Sequence, residues 1–97
     1  MEFRIGKNKF DNDRLFDEAR EDDIWFHLAD HPSPHMWVSS VEMEKSNIYN
    51  ICLNLKKQTK YRKVGVVRLC YTAKKNLRKT NEIGKLLIVG KLTFINV

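Results

Sequence analysis

Between Asp22 and Val38 the chain reads DDIWFHLADHPSPHMWV, a stretch that holds both tryptophans and all three histidines of the protein. Imidazoles and carboxylates this close together could hold a metal, move protons or face a ligand. Indoles could stack on bases. His27 and His35, with Asp23 or Asp30 nearby, are what a divalent ion would need. Their spacing matches no established ligand motif, and a catalytic zinc would want a third strong ligand. The pair therefore reads as structural or ligand-contacting, and no metal is expected. GxSxG, HExxH and Walker-type loops do not occur in the sequence. A His–Asp pair can do acid–base work, but nothing here supplies a nucleophile or a substrate pocket. The expectation is no catalytic residue and no cofactor, with a small metal-dependent nuclease as the enzyme alternative.

Trp25 and Trp37 have two readings. Exposed, they would stack on unpaired bases, each stack contributing about 1–3 kcal/mol. Buried, each would remove roughly 150–250 Å² from water. In a domain of 97 residues the core is thin and large side chains are needed for it. Packing is the preferred reading, with the helix near 45–60 as the element to cover them. Cys52 and Cys70 lie apart inside apolar segments. They read as buried thiols of a cytosolic protein rather than half of a zinc site.

The charge is divided along the chain. Residues 1–44 carry a net −6 and residues 45–97 a net +12, the latter with Glu82 as their sole acid. A segment that basic is a candidate polyanion-binding surface. Its alternative is a solvated face that keeps the protein soluble. Two groups stand out. Lys56, Lys57, Lys60, Arg62 and Lys63 gather at the end of one helix, where cations also suit the helix dipole. Lys74, Lys75, Arg78 and Lys79 follow the next strand. With that strand running at about 3.3 Å per residue, the groups would sit about 20–25 Å apart and could straddle a phosphate backbone. Lysine contacts of this kind release counterions and position an RNA without reading its bases. The second group is the first choice, because a loop this basic shows no folding duty of its own. No RNP-type aromatic motif or GxxG loop is present to read bases.

The positioning elements follow from periodicity. Glu2–Ile5 alternates and meets Gly6, which predicts a short strand and a turn. Asp11 is a good N-cap, with Phe10 and Leu15 at the spacing of a hydrophobic staple, for a helix of about 12–20. Ile24, Phe26 and Leu28 alternate with Trp25, His27 and Ala29, and the pattern resumes at His35–Ser39 after a loop with two prolines at 30–34. As an antiparallel hairpin, parity places Ile24, Phe26, Leu28, Met36 and Val38 on one face. Trp25, His27, His35 and Trp37 take the other. Ile48, Ile51, Cys52 and Leu55 mark an amphipathic helix within about 42–60. Val64–Tyr71 reads as a strand and 73–83 as a basic stretch with at most one helical turn. Lys85–Val89 and Leu92–Val97 read as two strands joined by a type II′ turn at Gly90-Lys91. No apolar run approaches the roughly 18–20 residues of a membrane helix, and MEFRIGKNKF has no apolar signal region.

Taken in order, GKNKFDND at 6–13, DDIWFH at 22–27, HMWV at 35–38, VRLCYT at 67–72, KKNLRKT at 74–80 and GKLLIVGKLTFINV at 84–97 resemble the NFACT-R domain. This is the RNA-binding domain of the NFACT proteins, which act in ribosome-associated quality control. The resemblance implies a compact α+β fold. It also implies that full-length relatives, which add an NFACT-N domain, helix-hairpin-helix elements and a coiled coil, bind tRNA and the large ribosomal subunit. Here only the one domain is expected, stand-alone or excised, so chain elongation does not transfer. Ser33-Pro34 stand where the family usually has a small residue, and the 45–60 helix lacks the family's alanine-rich character.

Composition, pattern and resemblance together predict one α+β domain over 1–97, with about six short, mainly antiparallel strands and two helices. They predict a non-enzymatic, cytoplasmic module that contacts tRNA or rRNA phosphates, with the large ribosomal subunit as the larger partner and no membrane. DNA, or an acidic protein partner meeting the same basic surface, is the alternative. The oligomeric state is left open.

Overall fold

A computed structural model describes residues 3–97. Its centre is a five-stranded antiparallel sheet in the order β1-β3-β2-β4-β7. These strands are β1 (Arg4–Ile5), β2 (Ile24–Leu28), β3 (Met36–Val38), β4 (Arg68–Ala73) and β7 (Thr93–Asn96). Two strands, β5 (Leu77–Lys79) and β6 (Leu86–Ile88), pair as a separate hairpin. The helices are α1 (Lys9–Glu18), α2 (Ser40–Lys45) and α3 (Ile48–Lys57), with a 3₁₀ turn at Lys74–Asn76. The α+β class is as expected; among the described residues the element count is one strand and one α-helix larger. Glu2, at the start of the predicted first strand, lies outside the described residues.

The sheet is covered on both faces. Phe26, Leu28, Met36, Val38 and Leu69 pack with Ile51, Cys52 and Leu55 of α3. On the opposite face Trp25, Trp37 and Cys70 pack with Leu15, Ala19 and Leu77, with Leu86 against them. The predicted hairpin forms with Trp25 directly opposite Trp37, and its faces divide by parity as expected. The tryptophans are buried, 5% and 1% exposed. The cover over them is α1 and the β5–β6 hairpin, not the helix at 45–60, which lies on the other side of the sheet.

Several local expectations are corrected. The N-cap of α1 is Asn8, whose Oδ1 accepts from the N–H of Phe10 and Asp11 at 3.0 and 2.9 Å. Asp11 sits inside the first turn, where a carboxylate also favours the helix dipole. No staple closes over it, since Phe10 is 62% exposed. The long helix expected over 42–60 is two helices, broken at Ser46-Asn47. There the Asn47 side chain accepts from the Asn50 N–H at 3.2 Å and starts α3 afresh. The strand expected from Val64 begins at Arg68; Val64 and Val66 are exposed.

Gly90-Lys91 is not a hairpin turn. It is the passage from β6, paired with β5, to β7, paired with β4. Thr72 Oγ1 donates to Lys91 O at 2.7 Å, Asn76 Nδ2 to Thr72 Oγ1 at 2.8 Å and Val89 N–H to Asn76 O at 2.8 Å. A Cβ on Gly90 would stand 2.2 Å from Asn76 Oδ1, so only glycine passes there. Gly84, at φ +81°, turns the hairpin against the first residue of α1; a Cβ would meet Lys9 Cα at 2.8 Å.

Candidate nucleic-acid interface

The cations at the end of α3 divide at once. Lys56 is 7% exposed, and its ammonium donates to the carbonyls of Val97 at 3.2 Å and Gly65 at 3.5 Å. It ties α3 to the ends of two extended segments and is not on the surface assigned to it from sequence. The periodicity held the signal, because Lys56 stands four residues after Cys52 on the buried stripe. Lys57, Lys60, Arg62 and Lys63 are exposed, and none forms an ion pair among the described residues. The segment that carries them is folded: Thr59 Oγ1 donates to Lys56 O at 2.8 Å and accepts from Tyr61 N–H at 3.1 Å. Tyr61 stacks on His31 at 4.2 Å, and the Lys60 ammonium lies 5.5 Å from the Tyr61 ring centre.

The second basic group is differently placed. Lys79 bridges Asp13 and Asp17 of α1 at 3.1 and 2.7 Å, and those carboxylates hold its pKa above the usual lysine value. The Lys74 ammonium donates to Ala19 O at 2.6 Å and lies over the Phe16 ring. Lys75 pairs with Asp22 at 3.6 Å. Arg78 donates to the carbonyls of Lys75 and Leu77 at 3.0 and 2.7 Å. The reading of 74–79 as a loop without folding duty is therefore corrected. It is a 3₁₀ turn and a strand that clamp α1 to the sheet, and the acidic residues of the first half of the chain neutralise much of its charge.

The histidines meet on the face with the tryptophans. His27 stacks on Trp25 at 5.3 Å with planes 11° apart, and His35 meets both rings edge-on at 5.1 and 5.5 Å. His27 Nδ1 lies 2.6 Å from Leu28 O. A carbonyl only accepts, so Nδ1 carries the proton and Nε2 of the neutral ring is an acceptor. Burial lowers the pKa of His27, and lowers that of His35 to about 4. Both are neutral at pH 7. The loop between them is pinned by Ser33, whose Oγ accepts from Leu28 N–H and donates to Pro34 O, each at 3.0 Å. Thus the loop through Ser33-Pro34 is held by hydrogen bonds at both sides of Ser33. Arg68 grips Asp30 at 2.9 and 3.3 Å and lies over Phe94 at 4.5 Å. Among the described residues no three His, Cys, Asp or Glu side chains gather as a metal site. The thiols of Cys52 and Cys70 are buried, which pushes their pKa up to about 12 and about 11. They are not nucleophiles at neutral pH.

Comparison with known proteins shows what this chain is similar to. The family model described as the NFACT protein RNA binding domain matches residues 3–96. A coiled-coil domain-containing protein 25 homolog of Dictyostelium discoideum is 33% identical over 83 residues, spanning 78% of this chain and 40% of that protein. The C-terminal structure of the fibronectin/fibrinogen-binding protein of Streptococcus suis superposes with a TM-score of 0.77 at 22% identity. It covers 98% of this chain and 40% of that one, and the likeness is one of fold.

Proposed function

From the membership of this chain in the NFACT RNA-binding domain family, we propose that it is a non-enzymatic RNA-binding module that contacts tRNA or rRNA phosphates in the cytoplasm. The observation that carries the reading is the exposed set Lys57, Lys60, Arg62 and Lys63, unpaired among the described residues, on a hydrogen-bonded turn. Cations without carboxylate partners are the ones whose binding to phosphate displaces counterions rather than breaking an existing ion pair. The neighbouring His31–Tyr61 stack holds the turn in place, so less side-chain freedom is lost on binding. Ribosomal RNA would present such phosphates in quantity, which makes the large ribosomal subunit the larger partner in this reading and ribosome-associated quality control its setting. The contacts are to backbone and carry no base sequence.

The test is fluorescence anisotropy of the chain against a labelled tRNA and a DNA of the same length, over a series of salt concentrations. Micromolar or tighter RNA binding, a steep salt slope and a preference for RNA are the expected result. Equal affinity for DNA would turn the reading to a general polyanion binder. No binding near physiological salt would overturn it in favour of an acidic protein partner.

A further inference from the structure

On the tryptophan face the β5–β6 hairpin does not cover the whole sheet. A cavity of 670 Å³ remains between the 29–34 loop and the turn around Gly84, lined by Trp25, His27, His35, Leu86, Ile88 and Phe94 among others. Its size is that of sites that take small organic molecules, roughly 300–1,000 Å³. We propose that this cavity receives one unstacked nucleobase of a bound RNA, with Lys85 at its mouth meeting the attached phosphate; the proposal rests on the RNA-binding reading above.

Three observations carry it. The walls are flat aromatic rings and aliphatic side chains, surfaces on which bases stack and which repel a bare anion. The polar groups in those walls are unfinished. Among the described residues, Trp25 Nε1 and His35 Nδ1 are buried with no hydrogen-bond partner. Buried polar atoms are ordinarily paired. Two such orphans in the wall of one cavity mark where the polar edge of a ligand completes the set. Finally, both imidazoles are neutral at pH 7, so they meet a base by hydrogen bonding rather than drawing an anion into the cavity. The charge is at the rim: Lys85 is exposed and, among the described residues, without an ion pair, beside the Arg68–Asp30 pair and Glu82.

The test uses the full chain, labelled with ¹⁵N, and the four nucleoside 5′-monophosphates at millimolar concentration. Trp37 is an internal control, because its Nε1 is also buried and unpartnered but the residue does not line the cavity. The expected result is a shift of the Trp25 indole N–H and the His27 ring signals with Trp37 unmoved. A short single-stranded RNA should also bind about fivefold or more tighter than its blunt duplex, although the duplex carries the denser charge. Ile88→Trp, at a half-exposed wall position, should abolish the shift and the single-strand preference and leave duplex binding unchanged. Lys85→Glu should weaken the monophosphates and leave the unphosphorylated nucleosides unaffected. RNA binding with no Trp25 shift and no single-strand preference would overturn the cavity and spare the RNA reading. Loss of all RNA binding would overturn both.

Discussion

The segments 57–63 and 74–79 are both lysine-rich, and on charge alone they are interchangeable. Their surroundings make them opposites. Lys79 lies between Asp13 and Asp17, Lys75 beside Asp22, and Lys74 against the backbone end of α1. Lys57, Lys60, Arg62 and Lys63 meet no carboxylate among the described residues. The linear separation of a net −6 half from a net +12 half is thus partly undone by folding, because α1 sits on the hairpin that the basic half contributes. What a cation does depends on what it already holds: a free one can neutralise phosphate, a paired one must first give up its partner.

The sharpest way to break this contrast is to remove each group in turn. Replacing Lys57, Lys60, Arg62 and Lys63 by alanine should lower RNA affinity by about 100-fold near 0.1 M salt and reduce the salt slope by about 3, with melting unchanged. Replacing Lys74, Lys75, Arg78 and Lys79 should do the reverse, lowering the melting temperature by roughly 5 °C with a smaller loss of affinity. Anisotropy and thermal denaturation of the two variants side by side would read both. Equal losses of affinity would show that the ion pairs of 74–79 open readily and that the two segments form one surface.

Lys56 sharpens the comparison within a single helix turn. Lys56→Ala removes a buried ammonium and leaves the carbonyls of Val97 and Gly65 without that donor. The expected loss is about 2 kcal/mol of stability, read by urea denaturation, with RNA affinity unchanged while the chain is folded. Lys57→Ala, its exposed neighbour, should give the opposite pair of results.

The smallest effect concerns the third kind of environment, the buried histidines. Burial depresses the pKa of His35 from 6.5 to about 4, so between those values the unfolded chain binds the proton and the folded one resists it. The stability held at neutral pH is therefore lost as the pH falls through that window, by roughly 1–2 kcal/mol after allowance for partial hydration. His35→Phe should flatten the pH dependence of urea denaturation between pH 6.5 and about 4 relative to the parent. An unchanged profile would mean that the ring is hydrated and titrates normally.

Much of the molecule is legible in its sequence. The faces of the β2–β3 hairpin followed from a period of two. The buried stripe of α3 followed from a period near 3.6, and it even carried the position of Lys56. The N-cap of α1 was misplaced because Asn8 and Asp11 are both good caps, and the choice lay in which one the chain could bring to the free N–H groups. Strand β5 was missed because Leu77 is its lone buried residue, too little alternation to register. The Gly90-Lys91 turn was misread because two apolar runs around a glycine look like a hairpin whether or not they pair with each other.

By itself the sequence determined the α+β class, the two-faced hairpin, the family likeness and the presence of excess positive charge. These rest on local periods, backbone preferences and counts, which neighbouring residues settle among themselves. Tertiary structure alone decided which element covers the tryptophans, where β6 and β7 find their partners, which lysines are spent on carboxylates and where a cavity is left open. Each of these is a contact between residues far apart in the chain, Lys79 with Asp13 for one, and a contact of that kind exists only once the chain has closed the loop between them.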